Sequence, residues 1–103
     1  MLEWTGTELN EAMENTENFC FYLYTPLCGT CQVASKMLGV TLELFPEFKA
    51  GKMNLNYGPE VAEQFEIESV PCLLLFSKGQ LVKKIYAFQS VPFLFQELKE
   101  IAG

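Results

Sequence analysis

The run Asn18-Phe19-Cys20-Phe21-Tyr22-Leu23-Tyr24 constrains this chain more than any other feature. It carries no charge and, after Asn18, only apolar or aromatic side chains, so both of its faces must be covered. At this length it reads as a buried central strand. Val70-Pro71-Cys72-Leu73-Leu74-Leu75-Phe76 makes the same demand a second time. Strands buried on both faces need helices above and below one sheet, which is the α/β class.

The remaining elements fit around those two runs. Thr5 and Glu8 have the spacing of a capping box and open a helix over about 7–16, with Leu9, Ala12 and Met13 on one face. The turn Thr25–Cys31 leads into a helical stretch from about Cys28 to Phe48, in which Gly39 and Pro46 mark a kink or an early end. Alternation predicts a short strand over Lys52–Asn56, and Pro59 opens a short helix through Phe65. Lys78-Gly79-Gln80 supplies a hairpin turn to an antiparallel return over Leu81–Tyr86. Ser90 caps a final helix that turns Val91, Leu94, Phe95, Leu98 and Ile101 inward. A length of 103 residues leaves room for one domain over 1–103.

Composition removes several classes of function. There is no His, which excludes an imidazole base, a Cys/His dyad and His metal ligands. Thirteen Glu against seven Lys give a net charge of −6, and Lys83-Lys84 is the largest basic cluster, so a nucleic acid would be repelled. No apolar run approaches the roughly 20 residues that span a bilayer. Met1-Leu2-Glu3-Trp4-Thr5-Gly6 lacks the basic and apolar regions of a secretory signal, and a cytoplasmic location is expected.

Four cysteines remain as the chemistry-bearing residues: Cys20, Cys28, Cys31 and Cys72. Cys20 and Cys72 lie singly in apolar runs, where reduced thiols pack as small hydrophobes. Strand alternation is expected to turn Cys72 away from the face on which Val70 lies. Four-cysteine zinc binding would need a second Cys-x-x-Cys, so no metal and no cofactor are expected. Cys28 and Cys31 are different, because they sit where a strand hands over to a helix. The positive end of a helix dipole and its unpaired N–H groups stabilise a thiolate there. Cys28 is the expected nucleophile, and Cys31, almost one turn later on the same face, can attack a mixed disulfide formed at Cys28.

Tyr24-Thr25-Pro26-Leu27-Cys28-Gly29-Thr30-Cys31 resembles the active-site segment of the thioredoxin family. Val70-Pro71, with the apolar strand and Lys78-Gly79 after it, resembles the segment that carries a cis-proline opposite the cysteines in that family. Val61–Ile67 is similar as well, and from Asn18 onward the order and spacing of elements match. The resemblance implies a thioredoxin fold, with a central four- to five-stranded mixed sheet flanked by helices on both faces. It also implies a thiol-disulfide oxidoreductase that reduces protein or small-molecule disulfides through Cys28 and Cys31. Tyr24, Gly29, Thr30, Val70 and Pro71 would line the substrate-docking surface. An electron donor such as thioredoxin reductase would restore the dithiol, and a monomer is expected. The alternative is a non-enzymatic adaptor that binds a partner through the same groove.

Several departures from the family pattern bear on mechanism. Tyr22 stands where thioredoxins carry a buried Asp, and the chain contains no Asp at all. Lys52 matches the family's Lys beside that Asp, so its usual partner is missing. Tyr22 and Lys52 are therefore the candidates for proton transfer. A Tyr with an ordinary pKa near roughly 10 is a poor base at neutral pH, and its hydroxyl is expected to order a water or bond to Lys52. Leu27 replaces the family's common Trp, Thr30 replaces its common Pro, and the first strand is reduced to Met1–Trp4.

Overall fold

The two apolar runs lie side by side at the centre of the sheet. The computed structural model describes residues 1–102. Its strands are β1 (Leu2–Glu3), β2 (Asn18–Tyr24), β3 (Lys49–Asn54), β4 (Cys72–Ser77) and β5 (Gln80–Ile85). Its helices are α1 (Gly6–Asn15), α2 (Gly29–Leu42), α3 (Pro59–Gln64) and α4 (Val91–Ala102). The strand order is β1-β3-β2-β4-β5. β1, β3 and β2 run parallel, while β4 and β5 are antiparallel to their neighbours, so the sheet is mixed.

Strand alternation sorts β2 into two cores. Phe19, Phe21 and Leu23 pack with Leu9 and Ala12 of α1 and Val61 of α3. Cys20 and Tyr22 face the other way, onto Ala34 and Leu38 of α2 and Leu94 and Leu98 of α4. Each face of the sheet is thus closed by a pair of helices. The capping box forms as read: the Glu8 N–H donates to the Thr5 hydroxyl, and the Thr5 N–H donates to the Glu8 carboxylate. No helix among the described residues is long and apolar enough to cross a membrane.

Three elements differ from the sequence reading. α2 stops at Leu42 rather than reaching Phe48. Pro46 has no N–H to return to the Leu42 carbonyl and disfavours helical backbone at Phe45. The chain instead leaves in tight turns, with Phe45 N–H donating to Leu42 O at 3.0 Å and Phe48 N–H to Phe45 O at 2.9 Å. β3 covers Lys49–Asn54 rather than 52–56. Its early part was hidden because Gly51 has no side chain to mark the alternation. That glycine is required: a Cβ there would fall 2.0 Å from the Trp4 ring, which stacks on Phe21. β3 ends where the Asn54 side chain accepts the Asn56 N–H at 3.0 Å and starts a 3-10 turn over Leu55–Tyr57.

Cys72 is the third correction. It shares the α1/α3 core with Val70, because residues two apart on an extended chain point to the same side. Its thiol is fully buried, and so is that of Cys20 on the opposite face. In α4, Leu94 and Leu98 are buried and Val91 and Ile101 half-buried as expected, while Phe95 packs at the margin against Phe45. Glu97 is also buried there and is neutralised by Lys83 of β5.

Candidate active site

β2 ends at Tyr24, and Thr25-Pro26-Leu27 carries the chain past the carboxyl end of that central strand into α2. Leu27 at the crest is fully exposed. Cys28 takes the N-cap position in extended conformation, φ −95° and ψ 106°. Its Sγ accepts the Cys31 N–H at 3.1 Å, the bond that an Asp or Ser oxygen makes at ordinary helix starts. The same sulfur lies 3.4 Å from the Thr30 hydroxyl and 4.0 Å from the Val70 carbonyl oxygen. Cys28 and Cys31 form a disulfide with their Cα atoms 5.2 Å apart. Cys28 is half-buried, whereas Cys31 is only 3% exposed.

The Val70-Pro71 peptide bond is cis. The Val70 carbonyl faces Cys28 Sγ, so two segments 42 residues apart meet at one sulfur. Beside them a cleft of about 410 Å³ runs between Thr30, Val33, Pro71, Tyr86 and Phe88. Thr30 on its wall is exposed, and so is the neighbouring Gly29.

A second cleft, of about 440 Å³, opens on the other side of the disulfide. Tyr22, Tyr24, Cys31, Lys36 and Lys52 line it. Tyr24 therefore sits apart from the cleft of Thr30 and Pro71. The Tyr22 hydroxyl is bound neither to Lys52 nor into a relay; it donates to the Cys31 carbonyl at 2.7 Å. Burial, together with Tyr24 nearby, pushes the Tyr22 pKa up to about 12. Tyr22 therefore stays protonated at neutral pH and acts as a fixed neutral donor on the first turn of α2, not as a base.

Lys52 does have an acidic partner, from an unexpected strand. Its Nζ lies 3.9 Å from Glu3 Oε2, and the Tyr24 hydroxyl donates to that same carboxylate oxygen. The register explains the meeting: β3 places Lys52 beside Tyr22 of β2 on one side and Glu3 of β1 on the other. Burial first, and then the bond to Glu3, push the Tyr24 pKa up to about 12. Sequence reasoning gave Glu3 no role, and only the pairing of β1 with β3 could have found it.

The four cysteines have different surroundings. Burial pushes the Cys20 thiol up to about 12 and Cys72 up to about 11, the latter despite Tyr86 and Lys84 nearby. Cys28 instead faces an N–H and a hydroxyl, both of which favour a thiolate. Brief iodoacetamide treatment of the reduced protein at pH 8 should label Cys28 first, with Cys20 and Cys72 silent until denaturant is added. Peptide mass spectrometry reads the order, and early labelling of any other thiol would contradict this assignment.

Comparisons with known proteins agree with this geometry. The Thioredoxin family model matches residues 1–100. Thioredoxin-like protein YusE of Bacillus subtilis is 50% identical over 82 residues, covering 80% of this chain and 77% of that protein. The thioredoxin of Mycobacterium tuberculosis is 31% identical over 72% of this chain and 65% of its own length. A bifunctional thioredoxin reductase/thioredoxin of Mycobacterium leprae is 28% identical over 72% of this chain and 16% of its own length. Among solved structures, oxidised mitochondrial thioredoxin 3 of Saccharomyces cerevisiae superposes with a TM-score of 0.87 at 22% identity, covering 97% of this chain and 94% of that one. Fold, matched sequence and a Cys-x-x-Cys pair in disulfide contact converge, and the chain belongs to the thioredoxin family.

Proposed function

We propose that this protein is a protein-disulfide reductase that uses Cys28 as nucleophile and Cys31 as resolving thiol. The observation that carries the reading is the reach of the two sulfurs: Cys28 lies at the surface and Cys31 is buried 5.2 Å away, Cα to Cα, on the same helix turn. A substrate disulfide can meet only the first of them. Gly29, Thr30, Val70 and Pro71 hold the substrate chain, with the Val70 backbone pairing with an extended peptide. Protein or small-molecule disulfides are the substrates, and the site works without a cofactor.

After each cycle the Cys28–Cys31 disulfide must be reduced from outside. The natural donor is a thioredoxin reductase, a pairing made covalent in the bifunctional Mycobacterium leprae relative. A reducing compartment such as the cytoplasm keeps that cycle running. The protein works as a monomer, since both sulfurs and the groove come from one chain.

Insulin reduction by dithiothreitol tests the proposal. Wild type should accelerate it strongly, and Cys28→Ser should match the rate without protein. Equal rates for wild type, Cys28→Ser and the blank would overturn the reading and leave the groove as a binding surface for an adaptor.

A further inference from the structure

Cys31 is buried, and the cleft of Tyr22, Tyr24, Lys36 and Lys52 is its route to solvent. When Cys31 resolves a mixed disulfide, its S–H proton must leave by that route. Among the described residues no carboxylate lines the cleft itself. Tyr22 is committed to the Cys31 carbonyl, and Lys36 and Lys52 are poor acceptors when charged. Among the titratable groups of the wall that leaves Tyr24, whose hydroxyl already points at a carboxylate, that of Glu3.

We propose that Glu3, acting through the Tyr24 hydroxyl, takes up the proton that Cys31 loses during resolution. This rests on the thiol-disulfide reading above and extends it to the proton. Water in the cleft accepts the Cys31 proton and passes one to the Tyr24 oxygen as the Tyr24 proton moves to Glu3. The Cys31 thiolate then attacks Cys28 Sγ: the Cys28–Cys31 bond forms and the bond from Cys28 to the substrate sulfur breaks. The substrate sulfur leaves with the bonding pair as a thiolate and is protonated by solvent. The dithiol is oxidised, the substrate disulfide is reduced, and Glu3 returns its proton to bulk water.

Glu3 is held in place by two neighbours. Lys52 Nζ lies 3.9 Å from it on β3, and the Tyr24 hydroxyl on β2 donates to it. Cys31 and Lys36 of α2 and Tyr22 of β2 are the other titratable groups on the cleft wall. Glu3 acts through Tyr24 and is a positioning residue. Its backbone is held independently of its side chain, because the next residue, Trp4, donates its N–H to Lys52 O at 2.8 Å.

The test is a single turnover of the reduced protein with insulin, followed by acid quench at pH values from 6 to 9. Wild type, Glu3→Gln, Glu3→Asp and Tyr24→Phe are compared. Adduct formation at Cys28 should be equal in all four. Resolution should slow about a hundredfold in Glu3→Gln and Tyr24→Phe at pH 6 to 7, the lower end of what loss of an assisted proton transfer costs. The deficit should narrow toward pH 9, where hydroxide can take the proton directly, and Glu3→Asp should recover most of the rate. A deficit that is the same at every pH, or pH profiles that coincide in wild type and Glu3→Gln, would overturn the proposal. Failure of wild type to form any adduct would overturn the reductase reading as well, so the two failures are distinguishable.

Discussion

Cys31→Ser is expected to arrest the protein on its substrate as a covalent mixed disulfide. With Cys28 intact, attack on an insulin disulfide still proceeds, because the Cys31 N–H and the Thr30 hydroxyl that face the Cys28 sulfur do not depend on the Cys31 thiol. The second step then has no internal nucleophile. Cys20 and Cys72 cannot substitute, since both are fully buried with strongly raised pKa values. The variant should accumulate nearly one insulin adduct per chain, visible on non-reducing gels and lost on adding dithiothreitol. Turnover should fall to the background rate. Cys28→Ser in the same experiment should form no adduct. Release of free insulin chains by Cys31→Ser as fast as by wild type would mean that another thiol resolves the intermediate.

The largest expected effect on stability is that of Tyr22→Asp. Tyr22 is 1% exposed, packs edge-on against Phe88, and ties β2 to the first turn of α2 through its hydroxyl. Truncating a buried aromatic costs about 3–5 kcal/mol, a large share of the roughly 5–15 kcal/mol that holds a domain together. The new carboxylate adds a cost that depends on pH. Burial raises a carboxyl pKa above its unfolded value near about 3.9, so the folded state holds a proton that the unfolded state releases. Stability therefore falls as pH rises from about 4 through the raised folded pKa, by about 1.4 kcal/mol per unit. Tyr22→Asn has a similar shape and does not titrate, which isolates that part. Urea unfolding of both oxidised variants from pH 4 to 7 should show the Asp variant losing ground to the Asn variant. A constant difference would mean that Lys52, the cross-strand neighbour of Tyr22, fully compensates the new charge.

What the sequence made legible follows from where its signals are local. β2 and β4 were readable because strands buried on both faces admit almost nothing but apolar residues. The capping box and the Cys-x-x-Cys turn were readable because each is complete within a few residues. The start of β3 was not, since Gly51 answers to a tryptophan 47 positions away. The partner of the Tyr22 hydroxyl was misread for the same kind of reason. Adjacent strands bring Lys52 to its flank, yet α2 crosses over it and offers the Cys31 carbonyl at shorter range. Glu3 was invisible as a functional residue because its link to Tyr24 crosses β3, and no spacing along the chain encodes that pairing.

Trp4 is the only tryptophan of the chain. It lies in the α1/α3 core, stacked on Phe21, while the disulfide begins the helix that covers the opposite side of the sheet. Quenching of indole emission by a disulfide needs near contact, and the thickness of the sheet denies it. The intrinsic fluorescence of this protein should therefore be nearly blind to whether Cys28 and Cys31 are oxidised. It should respond sharply when the core opens to water. One optical signal then follows unfolding in either redox state with the same baseline, leaving thiol chemistry to be followed by its own probes.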